Sequence, residues 1–240
     1  MTSDRHHSTR HADWDGDSPA QPQRRRFLQG TVGIALAASL FPGVAPAATA
    51  PKWTMVIDLN RCTGCQSCVI ACKAHNDTIE NQFNTRVLIS ESTVPETPRA
   101  HFTPVQCNHC DQPPCVAACT AEATFKLANG IVVTDWEKCV SDLSCLDACP
   151  FGARHADARH GNKADKCDFC LHLLERGLSP ACVTACPTKA RLFGNAESPD
   201  GDLATALQHV DLVGPQPRQS FATSVNYLPR RNATKQGEAR

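Results

Sequence analysis

The residues of this chain that could do chemistry are its cysteines, which repeat at fixed spacings. The chain has 15 cysteines among 240 residues, and they form four groups. Asp142 stands in the third group at the position that a cysteine holds in the other three. The groups are Cys62, Cys65, Cys68 and Cys72; Cys107, Cys110, Cys115 and Cys119; Cys139, Cys145 and Cys149; and Cys167, Cys170, Cys182 and Cys186.

This spacing predicts iron-sulfur clusters with all 15 cysteines as ligands. Three neighbouring thiolates wrap three corners of a cubane cluster, and the fourth typically reaches another cluster. A zinc site closes instead with a second C-x2-C or a histidine pair. A disulfide framework explains neither the odd count nor four repeats of one spacing. We expect four clusters: three [4Fe-4S], and one that is either [4Fe-4S] with Asp142 as a ligand or [3Fe-4S].

No catalytic constellation accompanies the cysteines. The sequence lacks a Ser-His-Asp set, a phosphate-binding loop and a paired-carboxylate site. His109 lies in a cysteine loop, and we expect it near a cluster or at the surface rather than on iron. We expect His75, His155 and His172 at the surface, and Lys73 to be solvated rather than to tune a cluster. These patterns predict a non-catalytic electron carrier.

The N-terminal region has the features of an export signal. Arg24 and Arg25 precede Phe27-Leu28 and a weakly apolar run at 31–50, which resembles a twin-arginine signal. Small residues at 45–47 suit a signal peptidase. The run is mostly alanine and contains prolines and a glycine, which is poor for a span of ~20 apolar residues. We expect a cleaved signal at 1–47 and a periplasmic mature chain that has no membrane span of its own.

Short elements must position the cysteine loops. The sequence predicts strands at 55–59 and 86–90, helices at 69–74 and 203–210, and a hairpin at 125–133 with a tight Asn129-Gly130 turn. Three prolines between 93 and 104 predict a loop, and the rest of the tail after Gly194 is expected to be loose. Together these elements predict an α+β fold built from a repeated ferredoxin unit.

Composition limits the possible partners and the kind of core. Aromatic residues make up only 5% of the chain, so clusters would supply much of the interior and folding would depend on them. The formal net charge is zero and no basic stripe occurs, so we expect no nucleic-acid partner.

Residues 53–194 resemble the four-cluster iron-sulfur subunit of complex iron-sulfur molybdoenzymes, the dimethyl-sulfoxide-reductase-type family. The similar exported members are electron-transfer subunits of polysulfide, thiosulfate and tetrathionate reductases and of nitrite-reductase systems. The resemblance implies tandem bacterial-ferredoxin-like dicluster domains with loop insertions, and electron transfer between a polytopic quinone-reactive membrane anchor and a molybdopterin catalytic subunit. It rests on MVIDLNRCTGCQSCVIACKAHN from Met55, CNHCDQPPCVAAC from Cys107 and KCDFCLHLLERGLSPACVTACP from Lys166.

The resemblance also implies which groups share clusters. Sequence order alone favours neighbouring groups, whereas the family pairs the first group with the fourth and the second with the third. The implied sets are set one, Cys62, Cys65, Cys68 and Cys186; set two, Cys72, Cys167, Cys170 and Cys182; set three, Cys107, Cys110, Cys115 and Cys149; and set four, Cys119, Cys139, Cys145 and Asp142. In the family, cluster one lies beside the catalytic subunit and cluster four beside the anchor.

The same resemblance divides the mature chain. A four-cluster region is expected at 48–196, in which 52–92 joins 159–196 around 98–158, and a tail follows at 197–240. Three other functions remain open: an iron-sulfur subunit of a quinone-linked sulfur-metabolism complex without a molybdenum subunit, a free-standing redox enzyme, and a structural zinc protein. Partner subunits, activity of the isolated chain, and iron and labile sulfide content distinguish them.

Overall fold

A computed structural model describes residues 50–91, 99–210 and 222–231. The predicted signal peptide at 1–47 lies outside these residues. None of the helices within them combines the length and the apolar character that crossing a membrane requires.

Short helices and strands alternate along the described chain in an α+β fold, as predicted. A 3-10 turn at Ala158–His160 accompanies the following elements. They are β1 (Trp53–Asp58), α1 (Ser67–His75), β2 (Thr85–Glu91), β3 (Ala100–Gln106), α2 (Pro114–Ala117), β4 (Thr124–Lys126), β5 (Val132–Thr134), α3 (Ser144–Asp147), β6 (Arg154–Asp157), β7 (Lys163–Lys166), α4 (Leu171–Leu174), α5 (Ala181–Thr184), β8 (Arg191–Asn195), α6 (Gly201–Leu207) and β9 (Val225–Leu228).

A three-stranded sheet in the order β8-β1-β9 joins distant parts of the chain. β1 runs antiparallel to β8, so that Ile57 lies opposite Arg191. Successive side chains of a strand face opposite sides. Ile57 therefore belongs to the main core, whereas Val56 packs with Leu203 and Ala206 of α6 on the other face. The sheet brings the chain before the first cysteine group against the chain after the fourth.

The described end of the tail is ordered, so the expectation of a loose tail is wrong for residues 222–231. β9 pairs in parallel with β1, with Val225 opposite Met55 and Tyr227 opposite Ile57. Val225 and Tyr227 are buried, and the Tyr227 hydroxyl donates a hydrogen bond to the Pro104 carbonyl at 3.0 Å. The alternation of buried and part-exposed residues in this strand is the period-2 pattern of a half-buried strand.

Three two-stranded sheets surround this centre: β2-β3, β4-β5 and β6-β7. The predicted helix at 69–74, strand at 86–90 and hairpin at 125–133 are confirmed. The loop predicted at 93–104 is wrong in its second part, because β3 begins at Ala100 and includes Pro104 opposite Val87. A two-stranded sheet has only edge strands, which tolerate a residue without an N–H. Residues 92–98 lie outside the described ranges.

Candidate functional site

All four cysteine groups share one backbone turn. In each group the residue before the second ligand position lies in the left-handed region, which side chains other than glycine rarely adopt. The φ angles are 73° at Gly64, 45° at His109, 61° at Ser141 and 58° at Phe169. Such conformations persist where the surrounding structure imposes them. Asp142 follows Ser141 and therefore holds the backbone position that a cysteine holds in the other three groups.

The first loop requires glycine for a second reason. A Cβ atom at Gly64 would collide with the ring of Phe102. Phe102 belongs to β3, so the β2-β3 hairpin lies directly over this cysteine loop. The close approach explains why a side chain is excluded here while the other three loops accept one.

Two of the four implied sets each line a cavity. In both cases three cysteines come from one group and the fourth from a group distant in sequence. Cys62, Cys65, Cys68 and Cys186 line the first cavity. Cys107, Cys110, Cys115 and Cys149 line the second. These are sets one and three.

The cysteines of set two also lie together. Nδ2 of Asn76 is 3.5 Å from the sulfurs of both Cys72 and Cys170. Burial, followed by the neighbouring thiols of Cys182 and Cys170, raises the pKa of Cys72 to about 12. Burial and the thiols of Cys72 and Cys182 likewise raise the pKa of Cys167. Cys72 thus lies among cysteines of the fourth group rather than facing its own.

Set four is assembled between the second and third groups. Burial raises the pKa of Cys145, Arg154 opposes that shift, and the thiols of Cys115 and Cys119 add to it. Cys139 packs against the small buried cluster that contains Cys145 and Cys115. Three thiols from two groups therefore surround the position of Asp142 in the sequence.

Asp142 links the two loops of set four through hydrogen bonds. Its Oδ2 accepts a bond from the Thr120 hydroxyl at 3.1 Å. Its Oδ1 accepts bonds from the Ser144 backbone N–H at 3.3 Å and from the Ser144 hydroxyl at 3.1 Å. Thr120 directly follows Cys119, and Ser144 directly precedes Cys145. The exposed carboxylate is thus tied beside both neighbouring thiols.

Sequence reasoning missed two buried arginines. Arg154 is 8% exposed and Arg191 is 2% exposed. The Arg154 Nη1 donates a hydrogen bond to the Cys145 sulfur at 3.4 Å, and Arg191 nitrogens lie 3.7 Å from the Cys68 sulfur and 3.8 Å from the Cys182 sulfur. The sequence signal that could have found them is C-P-x2-A-R, which occurs at 149–154 and at 186–191.

The residues present fit iron-sulfur clusters. Arg154 lines the cavity of set three, and its buried Nε and Nη2 have no hydrogen-bond partner among the described residues. Buried donors require acceptors, and cluster and thiolate sulfurs supply them. Burial and neighbouring thiols raise the pKa of Cys110 to about 12. Iron replaces those protons and compensates the thiolates that it binds.

Two expectations about basic side chains are wrong. His155 is buried, because it points inward from β6, with Nε2 3.4 Å from Asp165 Oδ2. Lys73 donates from Nζ to the carbonyls of Thr78 and Ile79 at 2.9 and 2.7 Å. It closes the loop after α1 instead of lying free in solvent.

Sets two and three meet through two aromatic side chains. The rings of His109 and Phe169 lie 4.0 Å apart, and each belongs to the residue before a second cysteine. His109 is fully buried, which lowers its pKa well below the ordinary value, and its Nδ1 accepts a hydrogen bond from the Val132 N–H at 3.0 Å. Of its two expected positions, beside a cluster or at the surface, the surface is wrong.

The four sets follow one another through the protein. Arg191 connects sets one and two, the His109–Phe169 contact connects sets two and three, and Arg154 connects sets three and four. The second ligand position is exposed in sets one and four, at Cys65 and Asp142. In sets two and three it is buried. The terminal sets thus reach the surface at their second position, and the middle sets do not.

Comparison with known proteins agrees with this arrangement. A family model described as a 4Fe-4S dicluster domain matches residues 98–196, and one described as a 4Fe-4S binding domain matches residues 53–74. Both models describe proteins that bind iron-sulfur clusters, and together they include all four cysteine groups.

Three relatives share most of their length with the chain, and two of them are named as B subunits of oxidoreductases. That of tetrathionate reductase from Salmonella typhimurium is 39% identical over 221 residues, 85% of this chain and 87% of the relative. That of sulfite dehydrogenase from Allochromatium vinosum is 36% identical over 200 residues, 74% of this chain and 82% of the relative.

The third relative is the Hdr-like menaquinol oxidoreductase iron-sulfur subunit 1 of Archaeoglobus fulgidus. It is 31% identical over 241 residues, 77% of this chain and 90% of the relative. With its 4Fe-4S domains, the chain belongs to the ferredoxin-type iron-sulfur subunits of the dimethyl-sulfoxide-reductase family.

Proposed function

We propose that this protein is a non-catalytic subunit carrying four iron-sulfur clusters that relay electrons between a quinone-reactive membrane anchor and a molybdopterin catalytic subunit. Sets one to four hold the clusters, and Asp142 is the candidate fourth ligand of set four. The mature chain is exported by the twin-arginine pathway and reaches the membrane through its partner. Its cluster region is a tandem of two dicluster units, 52–92 with 159–196 and 98–158, within 48–196, ahead of the tail.

The observation that carries this proposal is the continuous order of the sets with exposed second positions at both ends. A relay needs one surface-accessible terminus for the donor and another for the acceptor. Buried middle centres protect electrons in transit from solvent oxidants. Cys65 and Asp142 mark the two termini, whereas Cys110 and Cys170 are 7% and 4% exposed.

Relatives of the chain support the partners. Two of them are named as B subunits of a reductase and a dehydrogenase, and a third as an iron-sulfur component of a menaquinol oxidoreductase. These names fit a component that works inside a complex and exchanges electrons with a quinone pool. The menaquinol-linked relative keeps open a second candidate, a quinone-linked complex that has no molybdenum subunit.

The test is purification of the complex from membranes without oxygen. We expect iron and acid-labile sulfide in nearly equal amounts, a co-purifying polytopic membrane protein and a large subunit that contains molybdenum. A quinol should bleach the visible absorbance of the complex, and removal of the membrane protein should abolish that reduction. A complex without molybdenum would favour the second candidate. Zinc without sulfide, or turnover by the isolated chain, would overturn the relay.

A further inference from the structure

Arg154 and Arg191 occupy equivalent places in the two halves of the cysteine framework. Each ends a C-P-x2-A-R sequence and begins a strand, β6 or β8. The cysteines that begin those sequences are Cys149 of set three and Cys186 of set one. The repeat therefore delivers one arginine to each pair of sets.

Arg191 lies between sets one and two. Its Nη2 is 3.7 Å from the sulfur of Cys68, in set one, and its Nη1 is 3.8 Å from the sulfur of Cys182, in set two. Its other polar neighbours are uncharged: Nη2 donates to the Thr85 hydroxyl at 2.8 Å and Nη1 donates to the Gln106 side-chain oxygen. The guanidinium is buried with sulfur on two sides.

Arg154 repeats this placement between sets three and four. Its Nη1 donates to the Cys145 sulfur of set four, and the side chain lines the cavity of set three. The threonines at 124 and 134 accept bonds from the same nitrogen at 3.3 Å each. Although burial opposes it, the thiols of Cys115 and Cys145 raise the arginine pKa.

Neither arginine has a carboxylate partner among the ion pairs of the described residues. A buried cation without a counter-charge is costly, and proteins normally pair it. Among the described contacts of these two side chains, the thiolates of a loaded site are the negative groups, so their counter-charge is shared between two sets.

A fixed positive charge stabilises the form of a centre that carries one more electron. The effect is strong in the interior, where the effective dielectric is lower than in water. Charge and hydrogen bonds to sulfur are known determinants of cluster potential. A charge placed between two centres acts on both of them, whereas more distant centres are affected less because Coulomb energy falls with distance.

We propose that Arg191 and Arg154 are bridging charges, each raising the reduction potentials of the two clusters between which it lies. The proposal rests on the cluster sets of the proposed function. Each transfer along the relay moves one electron from one cluster to its neighbour, and the guanidinium exchanges neither electron nor proton. By acting on both members of a pair, the charge raises their potentials together.

The test is redox titration of the whole cluster-loaded protein, followed by EPR, in Arg191→Gln and Arg154→Gln. Glutamine keeps hydrogen-bonding capacity and removes the charge. In each variant we expect two of the four midpoint potentials to fall, each by at least tenfold in the one-electron equilibrium constant, about 59 mV. The two variants should shift complementary pairs. Arg→Lys at either position should stay within half of that shift.

Thr85→Val is the matched control, because it removes a hydrogen bond of Arg191 and leaves its charge. Its potentials should equal those of the unaltered protein. A shift in one cluster only, in all four equally, or in none would overturn the proposal, and so would a Thr85→Val shift as large as that of Arg191→Gln.

Iron and sulfide content keeps the test decisive if a glutamine variant assembles poorly. Loss of one pair in Arg→Gln, together with full loading and unchanged potentials in Arg→Lys, supports a charge shared by that pair. Loss of all four clusters in both variants would mean that the side chain is a general packing residue, and the proposal would fail. The number of clusters in the unaltered protein separately tests the sets themselves.

Discussion

At the scale of single residues, Asp142 combines the backbone of a cluster ligand with a different side chain. Ser141 keeps the left-handed turn that precedes the second ligand in the other groups. The carboxylate is held by Thr120 and Ser144, so iron would compete with three hydrogen bonds. A carboxylate oxygen is also a harder and weaker partner than thiolate for iron in a sulfide core. Set four should therefore contain a labile iron.

Replacing Asp142 tests this lability. In the air-oxidised protein we expect a three-iron EPR signal, which should disappear in Asp142→Cys because a fourth thiolate retains the iron. Asp142→Asn is the matched control, since it keeps an acceptor for the hydrogen bonds but is a poorer iron ligand. It should give the three-iron signal without oxidation. Four stable four-iron clusters in all three proteins, indifferent to air, would contradict the labile site.

The cysteines and the arginines show what sequence can and cannot identify at this scale. Cysteine spacing alone predicted cluster ligands, because local spacing determines which thiolates can wrap a core. The contacts of Arg191 with Cys68 and Gln106 span 123 and 85 residues. Such contacts depend on the assembled fold, and only the repeated C-P-x2-A-R marks them in the chain. His155 escaped notice for the same reason.

At the scale of elements, β9 fixes the returning tail on the central strand. Tyr227 is the single tyrosine of the chain. Its ring joins the main core, and its hydroxyl holds β3 through Pro104. Burial raises the pKa of Tyr227 to about 12, with the charge of Arg191 acting in the opposite direction. The neutral phenol is thus the form that the fold accommodates.

This position predicts an alkaline limit to stability. Because the folded pKa lies above the ordinary value near 10, the tyrosine contribution is complete below about pH 10 and is lost as pH rises towards 12. NMR of carbon-labelled tyrosine should show titration near pH 12 in the native protein. Tyr227→Phe should lower stability by about 0.5–1.5 kcal/mol and abolish this alkaline loss.

Asn226→Ala provides the control for that prediction. Asn226 lies on the same strand and donates from Nδ2 to the Thr54 hydroxyl at 3.4 Å, but it does not titrate. The variant should retain the alkaline loss in a thermal unfolding series. A native tyrosine that titrates near pH 10 would show that β9 does not bury it.

Local pattern explains which elements the sequence predicted. α1, β2 and the β4-β5 hairpin carry their own signals of periodicity and turn chemistry, and they were found. β3 and β9 were missed, because each is stabilised by a partner strand that it meets only in the fold. Pro104 argued for a loop, yet a strand with a single neighbour can omit one N–H. Tertiary pairing overrode the local signal in both cases.

At the scale of the whole molecule, the cluster sites are part of the core. Cys68, Cys107, Cys167 and Cys182 belong to the main buried cluster, alongside few aromatic side chains. The strands β1 and β8, which meet in the central sheet, lie before and after all four cysteine groups. Without iron, these sites would bring together thiols whose burial is costly for the thiolate form. Folding and cluster insertion should therefore occur together, before any export.

Export of a folded, loaded protein is the last prediction, and it concerns Arg24 and Arg25. The twin-arginine pathway accepts folded substrates, as the resemblance to such signals implies, so the reducing cytoplasm can load the clusters first. Replacing both residues with lysine should leave coloured, protease-resistant precursor in the cytoplasmic fraction and none in the periplasm. Arg26→Lys is the matched control, because it removes an arginine but keeps the pair before Phe27-Leu28, and its export should be normal. Fractionation with immunoblotting and visible absorbance measures both. Undiminished periplasmic protein in the double lysine variant would contradict a twin-arginine signal. A colourless periplasmic product would contradict loading before export.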